Sequence, residues 1–254
     1  MKLLPRRVLP VLMYHRFGTP TQGDPELWVS MEQFAAQIRW LKEHGYRTLS
    51  LDEAHTASTA GKVPQRAVLL TIDDGFADDL DRVADPLSLA GFRATVFVPA
   101  GLVGQQVNLS HPTGDHTKTS SGTIVGPDGL RRWLERGMDV GCHSMTHCDL
   151  TACDAETLRH ETLESRNRLS ELLGHSVDDF CYPFAHHNDA TRREARAAGY
   201  RAAYAGEPPT DDLFAIPRMM IYPRDDAARF RRKVSGFYFW ISSLHRKLQR
   251  FVGN

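Results

Sequence analysis

Three things are scarce in this 254-residue chain, and each scarcity narrows what it can do. Cysteine occurs four times, at positions 142, 148, 153 and 181, with no C-x-x-C pair. Neither a zinc ribbon nor a thioredoxin-type site is therefore indicated. Long apolar runs are missing: no stretch approaches the length of a membrane-spanning helix. Met1 to Val11 carries basic residues but no apolar run of signal-peptide length. Net charge is missing too, because 31 Lys+Arg balance 31 Asp+Glu. That removes the overall basic field suited to nucleic acid. These absences predict a cytoplasmic protein with free thiols in a reducing compartment and no nucleic-acid partner. The hydrophobic fraction, 41%, is that of a globular protein with a full core.

What is present is a repeated alternation of strand and helix. Val8 to Tyr14, Ala67 to Ile72, Ala94 to Val98, Asp139 to His143, Phe180 to Tyr182 and Arg201 to Tyr204 read as short buried strands. Ser30 opens a helix with Gln33 as its capping-box partner and Phe34, Ile38 and Leu41 as its apolar stripe, stopped by Gly45. Further helices are predicted after Gly75 up to Gly91, over Pro127 to Glu135, over Asp154 to Leu173 with Gly174 as stop, and before Gly199. Gly101 to Gly126 breaks the rhythm and reads as a long functional loop. Such alternation implies parallel strands joined by right-handed crossovers. About seven units predict an α/β fold, a distorted and incomplete (β/α) barrel of seven strands, as one domain over residues 1–254. Chemistry in a barrel of this kind sits at the C-terminal ends of the strands, and four motifs fall there.

Thr71-Ile72-Asp73-Asp74-Gly75-Phe76 places two adjacent acids where an apolar strand ends. Side chains alternate along a strand, so neighbours share one task only where the strand breaks, and Gly75 supplies the break. One carboxylate can then hold a metal while the other faces substrate; an ordinary Asp-Gly turn is the competing reading. His143-Ser144-Met145-Thr146-His147 follows another strand. If the chain turns helical there, the two imidazoles lie on one face. Two histidines and a carboxylate leave coordination positions open, as a catalytic Zn²⁺ site requires. Cys142 and Cys148 flank the pair as rival ligands, but Cys142 should point away from His143 into the core. Tyr182-Pro183-Phe184 offers a backbone fixed by proline, whose Phe184 N–H can serve an oxyanion; a plain strand-to-loop proline is the alternative. Met13-Tyr14-His15-Arg16 puts a histidine at the end of the first strand, either a proton donor or structural.

Taken together, and in this order, these motifs resemble the polysaccharide deacetylase family, also called the NodB-homology family or carbohydrate esterase family 4. The resemblance runs from Val11 to about Tyr222. It implies a distorted (β/α) barrel, often seven-stranded. It also implies Asp73 as catalytic base, Asp74, His143 and His147 as metal ligands, and Phe184 as source of an oxyanion amide. Three positions depart from the family pattern. Cys181 stands where an arginine, the usual partner of the base, is common; Ile72 stands where phenylalanine is common; and the late Leu-x-His that supplies the general acid is not evident, since Ile216-Pro217-Arg218-Met219-Met220-Ile221 holds no histidine. Poly-N-acetylglucosamine deacetylases take that histidine from an early Tyr-His, which Tyr14-His15 resembles. His186 and His187 are its competitors.

The expected activity is metal-dependent removal of N-acetyl groups from a carbohydrate, whether polysaccharide, oligosaccharide or lipid-linked sugar. Zinc is the first choice of cofactor, with cobalt and nickel as alternatives. Hydrolysis of another C–N amide bond and a degenerate glycan-binding module are the competing functions. The motifs specify neither the glycan nor the oligomeric state. Beyond about residue 227 the chain reads as a basic amphipathic helix, apolar at Phe230, Val234, Phe237, Tyr238, Ile241, Leu244, Leu248 and Phe251. Two roles suit it: packing against the barrel, or peripheral contact with an anionic membrane at the inner surface.

Overall fold

The structure is a computed structural model that describes residues 8–21, 23–110, 119–206 and 212–238. In chain order the strands are β1 (Val11–Tyr14), β2 (Arg16–Phe17), β3 (Trp28–Val29), β4 (Arg47–Thr48), β5 (Ala67–Ile72), β6 (Thr95–Val98), β7 (Gln106–Ser110) and β8 (Thr119–Thr123). They continue with β9 (Asp139–Cys142), β10 (Asp179–Cys181), β11 (Ala202–Ala205), β12 (Ile216–Pro217) and β13 (Met219–Met220). The helices are α1 (Met31–Glu43), α2 (Leu51–Thr59), α3 (Ala77–Ala90), α4 (Pro127–Glu135), α5 (Ala155–Arg159), α6 (Ser165–Leu173), α7 (Asp189–Ala197) and α8 (Ala227–Val234).

One parallel sheet organises the chain, in the order β12-β11-β10-β9-β6-β5-β1-β13, with β4 pairing beside β5. The unbroken path has eight strands rather than the seven expected. The two extra edges come from one short segment: β12 and β13 lie at opposite ends of the path, yet only Arg218 separates them in sequence. The sheet thus curls into a nearly closed, distorted (β/α) barrel whose seam is spanned by the chain itself.

Strand alternation divides the core in two. One face of the strands sends Val11, Leu69, Phe97, Cys181 and Tyr204 into a cluster inside the barrel. The other face sends Leu12, Leu70, Val96, Cys142 and Phe180 outward against the helices. Phe97 fills the interior only because β9 has a glycine opposite: a Cβ on Gly141 would meet the Phe97 ring at 2.3 Å. Cys142, as expected, belongs to the outer layer, on the far side of its strand from His143.

Three local expectations need correcting. The segment 101–126 is not simply a loop: β7 and β8 form an antiparallel hairpin, Gln106 opposite Thr123 through Ser110 opposite Thr119. Its polar strands and the absence of a two-residue Asn-Gly turn hid it from pattern reading. The helix expected over 154–173 is broken by a π-helical turn, His160–Glu164, between α5 and α6. The capping box at Ser30 is half made: Ser30 accepts from the Gln33 N–H, but the Gln33 amide donates to the carbonyls of Tyr222 and Asp225. A complete box, Ser50 with Glu53, caps α2 instead. Finally, α8 buries Phe230 and Val234 against the barrel, with Phe230 edge-on to Trp40 at 6.0 Å. This is the packing role expected of its apolar face. Residues 239–254, over which that tail pattern continues, lie outside the described residues.

Candidate active site

Side chains from β1, β5, β9, β10 and the β12–β13 segment meet at the C-terminal end of the barrel, around a cleft of about 420 Å³. His15, Asp73, Asp74, His143, His147 and Phe184 all line it. The hairpin adds Leu109, Thr119 and Ser120 to one wall, and Tyr222 borders it.

The two adjacent acids separate because the backbone turns between them. The Gly75 N–H bonds to the Asp73 carbonyl at 2.8 Å, with Asp74 at φ 69° between, a strained γ-turn. Gly75 follows at φ 74°, and a Cβ there would meet Val98 at 3.0 Å and Val96 at 3.3 Å, so the turn needs glycine for space as well as for angle. Asp73 therefore continues the inward face of β5, and Asp74 swings toward the histidines.

Asp73 is 2% exposed and held by Arg218, itself 1% exposed, with Nη1 at 2.6 Å from Oδ1 and Nη2 at 2.7 Å from Oδ2. This is the bidentate fork of a guanidinium on a carboxylate. Burial alone would raise the Asp73 pKa; the charge and hydrogen bonds of Arg218 oppose it most strongly, and the acid is held ionised. Arg218 was not anticipated, and it answers the departure at Cys181. The signal lay in period two: Ile216 packs toward the barrel interior, so the residue two further on faces inward as well. Cys181 lies 3.7 Å (Sγ) from Asp73 Oδ2, its thiol pushed far above its ordinary range by burial and so neutral.

Asp74 Oδ1 lies 3.1 Å from His147 Nε2 and 3.7 Å from His143 Nε2. His143 donates its Nδ1 proton to the Cys181 carbonyl at 2.8 Å, which leaves Nε2 as a lone pair facing Asp74. Burial keeps that imidazole neutral, with its pKa lowered to about 4. Burial pushes Asp74 upward, but the hydrogen bond and charge of His147 prevail and hold it well below the carboxylate range. The Asp74 carboxylate and the His143 lone pair therefore face each other with no proton between them, an arrangement a cation would satisfy. The set Asp74, His143 and His147 offers three ligand atoms within 4.8 Å of one another, and so does Asp73, His143 and Cys181. The first set suits an ion better, because Asp73 has both oxygens on Arg218.

The chain between the histidines is not the helical turn expected. Ser144 at φ 68° and His147 at φ 63° fold it into a tight loop, and the two rings meet edge-on at 4.9 Å. Six described non-glycine residues have positive φ; five of them, Asp74, Ser144, His147, Phe184 and Ala185, sit in the segments bordering the cleft. Strain of this kind gathers where surrounding structure must hold a functional geometry. Phe184, φ 58°, packs its ring on His147 at 4.7 Å. His15 Nε2 stands 3.9 Å from Asp73 Oδ2. His186 and His187 do not line the cleft: His186 pairs with Asp149 at 2.9 Å, and the His187 ring packs on Tyr182.

The fold and this cleft define a parallel (β/α) barrel with a carboxylate–histidine cluster at its mouth. The sequence model of the family described as polysaccharide deacetylase matches residues 60–203, more than half of the chain, and the chain belongs to that family. It is 24% identical over 227 residues to YxkH of Bacillus subtilis, a protein bearing the family's name, covering 87% of this chain and 74% of that one. It is 26% identical over 208 residues to a poly-beta-1,6-N-acetyl-D-glucosamine N-deacetylase of Staphylococcus aureus, covering 78% and 69%. The fold is shared with PplD, a Streptococcus pyogenes deacetylase solved with acetate, at TM-score 0.77 and 21% identity over 89% of this chain and 97% of that one. It is shared also with IcaB of Ammonifex degensii, at TM-score 0.70 and 20% identity over 92% and 97%.

Proposed function

We propose that this chain is a divalent-metal-dependent N-deacetylase of an N-acetylated glycan, with zinc as the first choice of ion and cobalt or nickel as alternatives. The observation that carries the reading is the meeting, in one cleft, of a preformed Asp74–His143–His147 ligand set with an Asp73 carboxylate clamped by Arg218. A divalent ion on those three residues would supply Lewis-acid polarisation and acidify water.

The rest is done by the chain. Asp73 accepts the proton of the water that adds to the acetyl carbon. A carboxylate whose pKa is lowered is a weaker base, so it serves best where that water is made acidic, which ties its role to the neighbouring ligand set. The Phe184 N–H, on a backbone set by Pro183, is assigned to the oxyanion that forms as the carbonyl opens. His15, beside Asp73, gives its proton to the nitrogen as the C–N bond breaks. Water's oxygen ends in acetate, and the amine is left on the sugar. The similarity to a poly-N-acetylglucosamine deacetylase supports an N-acetylglucosamine-containing substrate. The test is acetate release from N-acetylglucosamine oligomers by the zinc-loaded protein; release of formate from an N-formyl analogue with no acetate from the oligomers would overturn it.

The proposal extends to location: cytoplasmic, with peripheral contact to an anionic membrane. Four free cysteines support the first part. Exposed Arg229, Arg231 and Arg232 on α8, and the basic residues Arg246, Lys247 and Arg250 beyond it, support the second. Among the described residues no helix is long and apolar enough to cross a membrane.

A further inference from the structure

One buried carboxylate takes no part in the reaction above. Glu161, 2% exposed, sits on the π-helical turn between α5 and α6. Its Oε2 accepts the N–H groups of Met145 and Thr146, each at 2.9 Å, and its Oε1 accepts the Thr146 hydroxyl at 2.6 Å. All three donors belong to the loop between His143 and His147.

The π turn is itself braced. Widening a helix by one residue frees carbonyls, and here Ser165 Oγ donates to the carbonyls of Glu161 at 2.6 Å and Thr162 at 2.8 Å, while the Tyr200 hydroxyl donates to Thr162 at 3.1 Å. The extra residue is thus stabilised in place on the side of the helix that meets the loop. Such single-turn bulges recur at functional sites.

The loop needs an outside hold because its own backbone is strained at Ser144 and His147. His143 does not depend on it, being oriented by the Cys181 carbonyl. His147 does: its N–H is bonded only within the loop, to Ser144 Oγ at 3.0 Å, and its ring reaches Asp74 only while the loop keeps this path.

We propose that Glu161 is a positioning residue for the metal site, acting through the loop on His147 rather than on His143. The inference rests on the ligand set proposed above. Carboxylates that orient a ligand from outside the coordination sphere typically change metal affinity roughly 10–100-fold when removed.

The experiment measures Zn²⁺ affinity of the full chain by chelator competition, and the visible absorption of the Co²⁺-loaded protein. Glu161→Ala should weaken Zn²⁺ binding roughly 10–100-fold and alter the Co²⁺ spectrum. Glu161→Gln, which keeps the shape but turns an NH₂ toward one donor, should fall between. In a His147→Ala background, Glu161→Ala should add less than about twofold, because its effect is transmitted by His147. Wild-type affinity and spectrum in both single variants would overturn the inference, as would a penalty undiminished in the His147→Ala background. Should Glu161→Ala not fold, Glu161→Gln carries the same comparison. If His143→Ala binds Zn²⁺ as tightly as wild type, the metal-site reading itself fails; if His143→Ala loses the ion while the Glu161 variants keep it, only this inference fails.

Discussion

Asp73 and Asp74 at the mouth of the barrel are held below the carboxylate range, whereas Asp139 and Asp179 at its floor are pushed above it. Three of them are buried and Asp139 is partly buried, and burial is the largest influence on each. The difference lies in what opposes it. At the mouth, Asp73 receives a two-pronged guanidinium and Asp74 receives His147. At the floor, Arg201 divides itself between Asp179 (Nη2 to Oδ2, 2.7 Å) and Asp52 (2.5 Å), while Asp179 Oδ1 is buried with no partner. Desolvation then prevails and carries Asp179 to about 6. The backbone follows the same division: of the six described non-glycine residues with positive φ, five crowd the mouth segments and Arg66 alone lies at the floor. The mouth spends stability to keep charge and geometry ready for a ligand; the floor relaxes toward neutrality.

The sharpest way to break this comparison is Asp73→Asn. It should lower kcat roughly a hundred- to ten-thousand-fold while leaving bound metal stoichiometric, since Asp73 is engaged by Arg218 and lies outside the proposed ligand set. Elemental analysis beside acetate kinetics checks it. Loss of metal in Asp73→Asn with retention in Asp74→Asn would reverse the two roles.

Next in size is His15→Ala, expected to reduce kcat about a hundredfold with metal content unchanged. His187→Ala, outside the cleft, should be near wild type. The opposite ranking would move proton donation to the later segment.

The floor gives a smaller effect in stability. Asp179 has a folded-state pKa above its unfolded value, so its favourable contribution is complete at pH below about 3.8 and is lost as pH rises through about 6. Relative to Asp179→Asn, the wild type should therefore lose on the order of 2–3 kcal/mol between pH 4 and pH 7.5. Urea unfolding of both proteins at the two pH values measures this; a wild type that instead gains on the variant as pH rises would show that Arg201 governs the site.

The smallest expected effect concerns the outside of the floor end, where exposed Val8 and Phe237 lie near one another, the Val8 N–H bonding the Gly236 carbonyl at 3.2 Å. Truncation after Gly236 should reduce co-sedimentation with anionic vesicles severalfold and leave the weak association with neutral ones unchanged. Binding that ignores lipid charge would leave the tail a packing element alone.

Much of the site was legible before any fold was known, because strand alternation is a local property. An apolar strand ending in Asp73 and another ending in His143 must send both inward if their apolar neighbours pack as they do. The helix stops at Gly91 and Gly174 were equally readable, both glycines standing at positive φ. The loop between the histidines was misjudged because four residues are compatible with either a helical turn or a strained one, and the choice is made by Glu161 from another helix.

What the sequence alone determined, then, is which residues lie at strand ends and which face they take, since covalent geometry sets a period of two. Tertiary structure decided what those residues meet. Arg218 reaches Asp73 across 145 positions because the seam of the sheet brings β13 beside β1, and no local pattern encodes that closure. Asp74 parts from Asp73 at a turn whose Gly75 has no room for a side chain beside Val96 and Val98, a restriction set by the neighbouring strand. The direction in which Asp73, Asp74, Asp139 and Asp179 shift was settled last, by the balance between desolvation and the charged or hydrogen-bonding partner that the fold delivered to each.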